Sequence, residues 1–481
     1  MTTHRRKRPG RAGGTTTDPA TAAAWTAIGG GPLTEPVTYE PAPGALAARL
    51  PVLELARACV GVCSVAAAEL LARRSGTPAP AVRIHEAAVA TAFVSERQLR
   101  IDGRTPTSFA PLSGFWPARD GWVRTHANYP HHRARLLTAL GIPDPGTGAG
   151  ARTGDQALTG AVAAELASRT ALEAQEAVYA AGGLAVAVAP GPVPSPARTP
   201  GVPPLAGIEA LPGGDPRPLP PAALPADGVR VLDLTRVIAG PVATRTLALL
   251  GADVLRVDPP RLPEDPDAHA DTGLGKRSAL LDLTDPCDRY VFDGLLDSAD
   301  VVVTGYRPGA LDALGLGPAE LAARRPGLIV ARLDAWGDRG PLAGRRGFDS
   351  LVQAATGIAV VEAAGGDRPG VLPAQALDHG TGYLLAAAVL RALTDRQSTG
   401  AGRLIQLSLA ATADWLLTGI RPPLDPPPAT VPPPDPAPWL TVTPSPYGPL
   451  RHALPPVHYA GAPRTWSHPP GHWGAAPATW H

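Results

Sequence analysis

GVRVLDLTRVIAGPVATRTLALLGADVLRVDPP, residues 228–260, reads as a complete strand, turn, helix and second strand. Val229, Val231, Leu232 and Leu234 form an apolar run of strand length. It breaks at Ala239-Gly240-Pro241, where glycine removes the Cβ and proline carries the φ suited to a first helical turn. Leu247, Leu249 and Leu250 give the helix an apolar side, Gly251 stops it, and Asp253 to Val257 resumes a β-rich run. A unit of this kind pairs its strands in parallel and crosses over right-handed.

Working outward, 278–283, 300–304, 328–333 and 404–409 read as further strands, and 286–299, 318–325 and 378–396 as helices between them. Alternation at these lengths predicts an α/β fold, a doubly wound, mostly parallel, Rossmann-like sheet, with a second, smaller α+β domain. Ligands of such sheets bind at the carboxyl ends of the strands, so the turns at 236–241, 273–277 and 305–309 should line one crevice.

The remaining chain divides by composition. Residues 1–25 read as a disordered basic tail, 26–189 as an N-terminal domain, 190–227 as a proline-rich linker unable to propagate helix or sheet, 228–420 as the main domain, and 421–481 as a proline-rich C-terminal segment. Within 26–189 a helix is expected from Pro51 to Arg74, a strand entering a helix over 82–92, and a hairpin around Asp120-Gly121-Trp122-Val123. A helix over 169–180 and a strand over 184–188 follow. His126, His131 and His132 stand just beyond the hairpin, in a spacing that matches no zinc signature.

A formal charge of +1 gives no reason to expect nucleic acid or a membrane surface as partner. Three cysteines, Cys59, Cys63 and Cys287, form no secreted disulfide framework, and no long apolar run stands out. A cytoplasmic protein is the expectation. Only Lys7 and Lys276 are lysines among 43 basic residues, and a compact ammonium at 276 suits a phosphate; a solvated strand edge is the competing reading.

Several stretches together resemble the family III coenzyme A transferases, which include formyl-CoA transferase, the carnitine CoA-transferases and the α-methylacyl-CoA racemases. They are residues 229–260, GKRSALLDL (275–283), GYRPGALDALGLGPAEL (305–321), LIVARLDAWGDRGPLAGRRGFDSLVQAATG (328–357) and LDHGTGYLLAAAVLRALTDRQSTGAGRLIQLSL (377–409). The resemblance implies an acyl-CoA:carboxylate CoA-transferase in which Asp378 forms an aspartyl anhydride and then an aspartyl-CoA thioester. From the residues alone, Asp378 reads as an N-cap, with Gly380 and Gly382 keeping the approach to it open.

The resemblance also places Val237, Ile238 and Ala239 around the nucleotide end of coenzyme A, and Lys276, Tyr306, Arg307 and Arg346 near its phosphates and pantetheine. It implies no metal and no permanently bound cofactor, an acyl-CoA and a carboxylic acid acceptor as partners, and a homodimer. A diverged, non-catalytic CoA-binding protein and a racemase or isomerase are the alternative functions.

Two departures bear on these. Phe348 stands where the racemases have a histidine, and Ala313 where the family often has arginine. The order of parts also differs, because pieces that follow the large domain in the family precede it here. The stretch 69–93 resembles 390–415, which suggests a partial second copy. Aligning Ile84 with Ile405 puts Arg57 opposite Asp378, so that copy would lack the nucleophile.

Overall fold

In a computed structural model the described residues are 18–33, 35–106, 109–144, 151–192, 205–365, 367–421 and 431–481. The opening unit folds as read, with Arg230–Leu234 and Asp253–Asp258 as parallel strands and Ala239–Leu249 as the helix between them. Seven strands form the main sheet in the order Arg277–Leu280, Asp253–Asp258, Arg230–Leu234, Val301–Thr304, Ile329–Asp334, Gly402–Ser408, Gly207–Leu211. All pairs are parallel except the last. Strand order reverses between Arg230–Leu234 and Val301–Thr304, whose registers match Val301 with Val231 and Thr304 with Leu234. The carboxyl ends of these two strands therefore flank the crevice such a reversal opens.

A smaller α+β layer is built from the strands Phe115–Ala118, Gly121–Thr125 and Ala185–Ala187 and the helices Pro130–Leu140, Ala151–Ala167 and Ala171–Ala180. Leu136, Leu137, Val162 and Val178 are buried in its core. The Ala171–Ala180 helix starts with a capping box in which Thr170 and Glu173 satisfy each other's backbone N–H.

Three expectations are corrected by these elements. Residues 18–25 were assigned to a disordered tail, yet Pro19–Ala27 is a helix that Asp18 caps at the Thr21 N–H (3.0 Å), with Ala24 and Trp25 buried; residues 1–17 lie outside the described residues. The stretch 190–227 does propagate sheet, because Gly207–Leu211 contains no proline and pairs antiparallel with Gly402–Gln406 as an edge strand. Residues 193–204 lie outside the described residues. In the C-terminal segment Leu440–Thr443 and Leu450–Ala453 pair as strands, and three tryptophans pin the chain to the sheet domain. Trp466 donates to the Arg245 carbonyl (2.8 Å), Trp473 to Asp258 (2.9 Å) and Trp480 to the Leu295 carbonyl (3.1 Å).

The axis of the molecule is a pair of helices, Val52–Ser75 and Ala376–Thr399, packed against each other. Val52–Ser75 is long and apolar enough to cross a membrane by length and composition, but most of its apolar residues are buried inside the protein. Both helices have 24 residues and both end at a left-handed glycine, Gly76 and Gly400. Matched end to end, they put Glu54, the third residue of its helix, opposite Asp378, the third of its own. The alignment through Ile84 and Ile405 had put Arg57 there. Arg57 instead pairs with Asp18 and Glu86, at 2.8 Å each.

Candidate active site

Asp378 is the third residue of Ala376–Thr399, not its N-cap, which is Gln375. The cap arrives from elsewhere in the fold. Asp349, the first residue of the helix Asp349–Ala355, accepts the Leu377 and Asp378 N–H groups on Oδ2 at 2.9 and 3.0 Å. Its Oδ1 accepts from the Gln353 amide. Asp349 thus acts as a tertiary cap that fixes the first turn and leaves the Asp378 carboxylate free of that duty.

Electrostatics separate the two carboxyl groups. Burial pushes Asp378 well above the ordinary carboxylate range, and the neighbouring Asp349 and Glu96 charges push it further. Burial also raises Asp349, but the N–H of Asp378, the Gln353 amide and the N–H of Leu377 oppose it. Asp349 therefore ionises first and Asp378 is the proton holder of the pair. Glu96 belongs to the N-terminal half, and its Oε2 lies 3.6 Å from Nε2 of His379, which stacks on Phe93.

Asp378 opens into a cavity of about 350 Å³. The switch-point turns supply one wall through Val237, Ala239, Gly305, Tyr306 and Arg307, and Arg345 to Phe348 supply another. The third wall comes from the N-terminal half, as Tyr129, His131, His132 and Arg135. Of the residues singled out from sequence, Val237, Ala239, Tyr306, Arg307, Arg346 and Asp378 meet here. Ile238 does not line the cavity; it packs half-buried against the core as the N-cap of Ala239–Leu249.

Lys276 is also absent from the cavity wall, contrary to the phosphate role expected of it. Its Nζ is buried 2.9 Å from Asp233 Oδ2 and 3.0 Å from the Thr244 hydroxyl. A buried aspartate needs such a partner, and the ammonium neutralises it beneath the sheet's carboxyl edge.

Val237 sits at φ 72°, a conformation that costs a β-branched residue about 1–3 kcal/mol. The strain turns the chain into the start of Ala239–Leu249, whose first N–H groups have no acceptor within the helix and suit an oxyanion or phosphate. Gly380 and Gly382 do not keep an approach clear for substrate. A Cβ at 380 would lie 2.8 Å from Leu55 Cδ2, and one at 382 would lie 2.5 Å from the Ala239 carbonyl oxygen. They let the long helix press against its two neighbours. Gly382→Ala is expected to cost about 1–3 kcal/mol by overpacking against backbone and to displace the Val237–Ala239 turn. A lower Tm on thermal unfolding checks this; an unchanged Tm would contradict it.

The cavity carries an excess of cations. Arg345 pairs with Glu176 (2.8 Å) and Arg236 with Glu264 (3.4 Å), but Arg307 and Arg346 have no carboxylate partner among the described residues. Burial lowers Arg346, and the nearby Arg135 and Arg307 charges lower it further. Such a set favours a polyanion.

Sequence reasoning saw the histidines at 126–132 only as metal ligands and rejected them. The overlooked signal was Tyr129-Pro130, an aromatic residue before a proline that starts the Pro130–Leu140 helix and so turns the chain at the site. A buried network anchors that corner. The Tyr129 hydroxyl donates to Glu264 (2.8 Å), Glu264 accepts from Arg256 (2.8 Å), and Arg256 binds Asp258 (2.6 Å).

Residues 226–420 match CoA-transferase family III. The chain is 38% identical over 200 residues to a probable fatty acyl-CoA transferase of Mycobacterium tuberculosis, a match covering 39% of this chain and 51% of that one. It is 34% identical over 197 residues to acetyl-CoA:oxalate CoA-transferase of Acetobacter aceti, covering 38% and 51%. With succinyl-CoA:glutarate CoA-transferase of Mus musculus it shares 32% identity over 231 residues, covering 45% and 52%. The chain thus spans about half the length of these curated relatives. The six parallel strands of the sheet, the switch-point turns and Asp378 all fall inside the segment that matches CoA-transferase family III.

Proposed function

We propose that the chain is an acyl-CoA:carboxylate CoA-transferase with Asp378 as its nucleophile. The observation that carries the reading is a buried carboxylate, relieved of capping by Asp349, facing a cavity whose Arg307 and Arg346 have no carboxylate partner among the described residues. Out of bulk water, a carboxylate held against a thioester can do what a dissolved one does poorly.

The steps balance without any redox partner. The ionised Asp378 oxygen attacks the acyl carbonyl, the C–S bond breaks, and a mixed anhydride and CoA thiolate form. The thiolate attacks the Asp378 carbonyl carbon, which gives the aspartyl thioester and releases the first carboxylate. The acceptor carboxylate then attacks that thioester, and the thiolate returns to the acceptor's acyl carbon, which regenerates Asp378. Arg135, Arg307 and Arg346 would hold the anionic CoA, and the helix start at Ala239 would meet the oxyanion.

An isomerase lacks support, since Phe348 accepts no proton and stacks flat on His126 at 3.8 Å. A non-catalytic CoA-binding protein would bind acyl-CoA and transfer nothing. An acyl-CoA and acceptor panel with mass-spectrometric readout separates the two: CoA moving to a new carboxylate supports the transferase, and binding without transfer refutes it.

Protonated Asp378 cannot attack, so the rate should rise with pH. Because burial, Asp349 and Glu96 all raise its pKa, the kcat/KM limb is expected at a midpoint above the ordinary value of about 4. Asp349→Asn removes one like charge and should move that limb to lower pH. A limb at the ordinary value, unmoved in the variant, would contradict the assignment.

A further inference from the structure

Four rings converge on the wall of the cavity that holds Asp378: Tyr129, His131 and His132 from the N-terminal half and Phe348 from the sheet domain. Their centroids stand close, 4.1 Å for His131 and His132, 5.4 Å for Tyr129 and His132, 5.8 Å for His132 and Phe348, and 6.4 Å for Tyr129 and Phe348. Behind Phe348 lies a fifth ring, His126, nearly parallel to it at 3.8 Å.

Two of the rings are held in place by their neighbours. The Tyr129 hydroxyl is engaged by Glu264 at 2.8 Å, and the Arg236 guanidinium covers the Tyr129 ring at 5.5 Å. Phe348 is braced by His126. These two rings are therefore in place before any ligand arrives, which lowers the ordering cost of binding.

The rings are also uncharged. Burial, and then the neighbouring His131, His126, Arg346 and Arg135 charges, push His132 down to about 2. Burial, Arg135, Arg236 and Arg346 lower His131. Near neutral pH the rings thus present neutral aromatic surface between the arginines, the kind that packs edge-to-face or offset against another ring.

We propose that the acyl group handled beside Asp378 carries an aromatic ring, so that the substrates are aromatic carboxylic acids and their CoA thioesters. The inference rests on the CoA-transferase reading for turnover, whereas the binding preference follows from the wall alone. Tyr129 and Phe348 are then the specificity-determining residues.

The test measures Kd by calorimetry for CoA, butyryl-CoA, succinyl-CoA and phenylacetyl-CoA on the full chain, with no acceptor present. Phenylacetyl-CoA is expected to bind up to about tenfold more tightly than the other two thioesters. Phe348→Leu and Tyr129→Leu should each shrink that ratio, while Tyr129→Phe, which keeps the ring, should preserve it. Butyryl-CoA or succinyl-CoA binding as tightly as phenylacetyl-CoA, or a ratio indifferent to both leucine variants, would overturn the proposal. Transfer from phenylacetyl-CoA to acetate is read in parallel. If the binding preference holds and no thioester is turned over, the transferase reading fails and the aromatic preference stands.

Discussion

Asp378→Ala is expected to lower the transfer rate by about 10⁴-fold or more, the scale on which removal of an obligatory nucleophile acts. No neighbour can substitute. Asp349 is tied to two backbone N–H groups and to Gln353, and it reaches the cavity only through the turn that it caps. Acyl-CoA binding should survive, because the arginines and the Val237–Ala239 turn lie on the other walls.

The isosteric Asp378→Asn should also be inactive, yet more stable. A folded-state pKa raised above the unfolded value gives stability that is present below the unfolded pKa and is lost as pH rises through the folded one. At pH 8 the wild-type protein bears the full cost of a buried carboxylate and the asparagine variant does not. The Tm difference between them should therefore widen as pH is raised; a difference that shrinks would contradict the account.

Arg256→Met is the second large effect, expected to destabilise the fold by about 3–5 kcal/mol, since it strips the only cation among the described residues bound directly to buried Asp258 and leaves Glu264 with the long Arg236 contact. Denaturant unfolding measures the loss. The same variant should weaken acyl-CoA binding, because Glu264 anchors Tyr129 from the opposite half of the chain. A neutral ΔG with normal binding would mean that this network neither holds the fold nor positions the wall.

How far the sequence reveals this depends on the range of the interactions involved. The Val229 to Val257 unit was legible because its strands, its Ala239-Gly240-Pro241 break and its Gly251 stop are all local signals. Asp378 was found by resemblance, but its place in the helix was misjudged, since its first turn is capped by Asp349 from 29 residues upstream. Local pattern carries no trace of such a cap. Lys276 looked exposed and functional for the same reason: Asp233, 43 residues away, is the charge that claims it. Gly382 was credited to substrate access when a backbone oxygen, that of Ala239, dictates it.

The N-terminal wall is the extreme case. Tyr129 reaches Glu264 across 135 residues, and nothing in the Asn128-Tyr129-Pro130-His131-His132 stretch states which surface it will meet. The resemblance of 69–93 to 390–415 suggested a partial second copy, and the helix ends in the structure match Glu54 rather than Arg57 with Asp378.

The most direct test of the account is covalent. Incubating the protein with an acyl-CoA that it turns over, adding hydroxylamine, and mapping peptides by mass spectrometry should find a hydroxamate on Asp378 alone, formed only when the thioester is present and absent from Asp378→Asn. Turnover with Asp378 unlabelled, or with the label on Glu96 or Asp349, would contradict it.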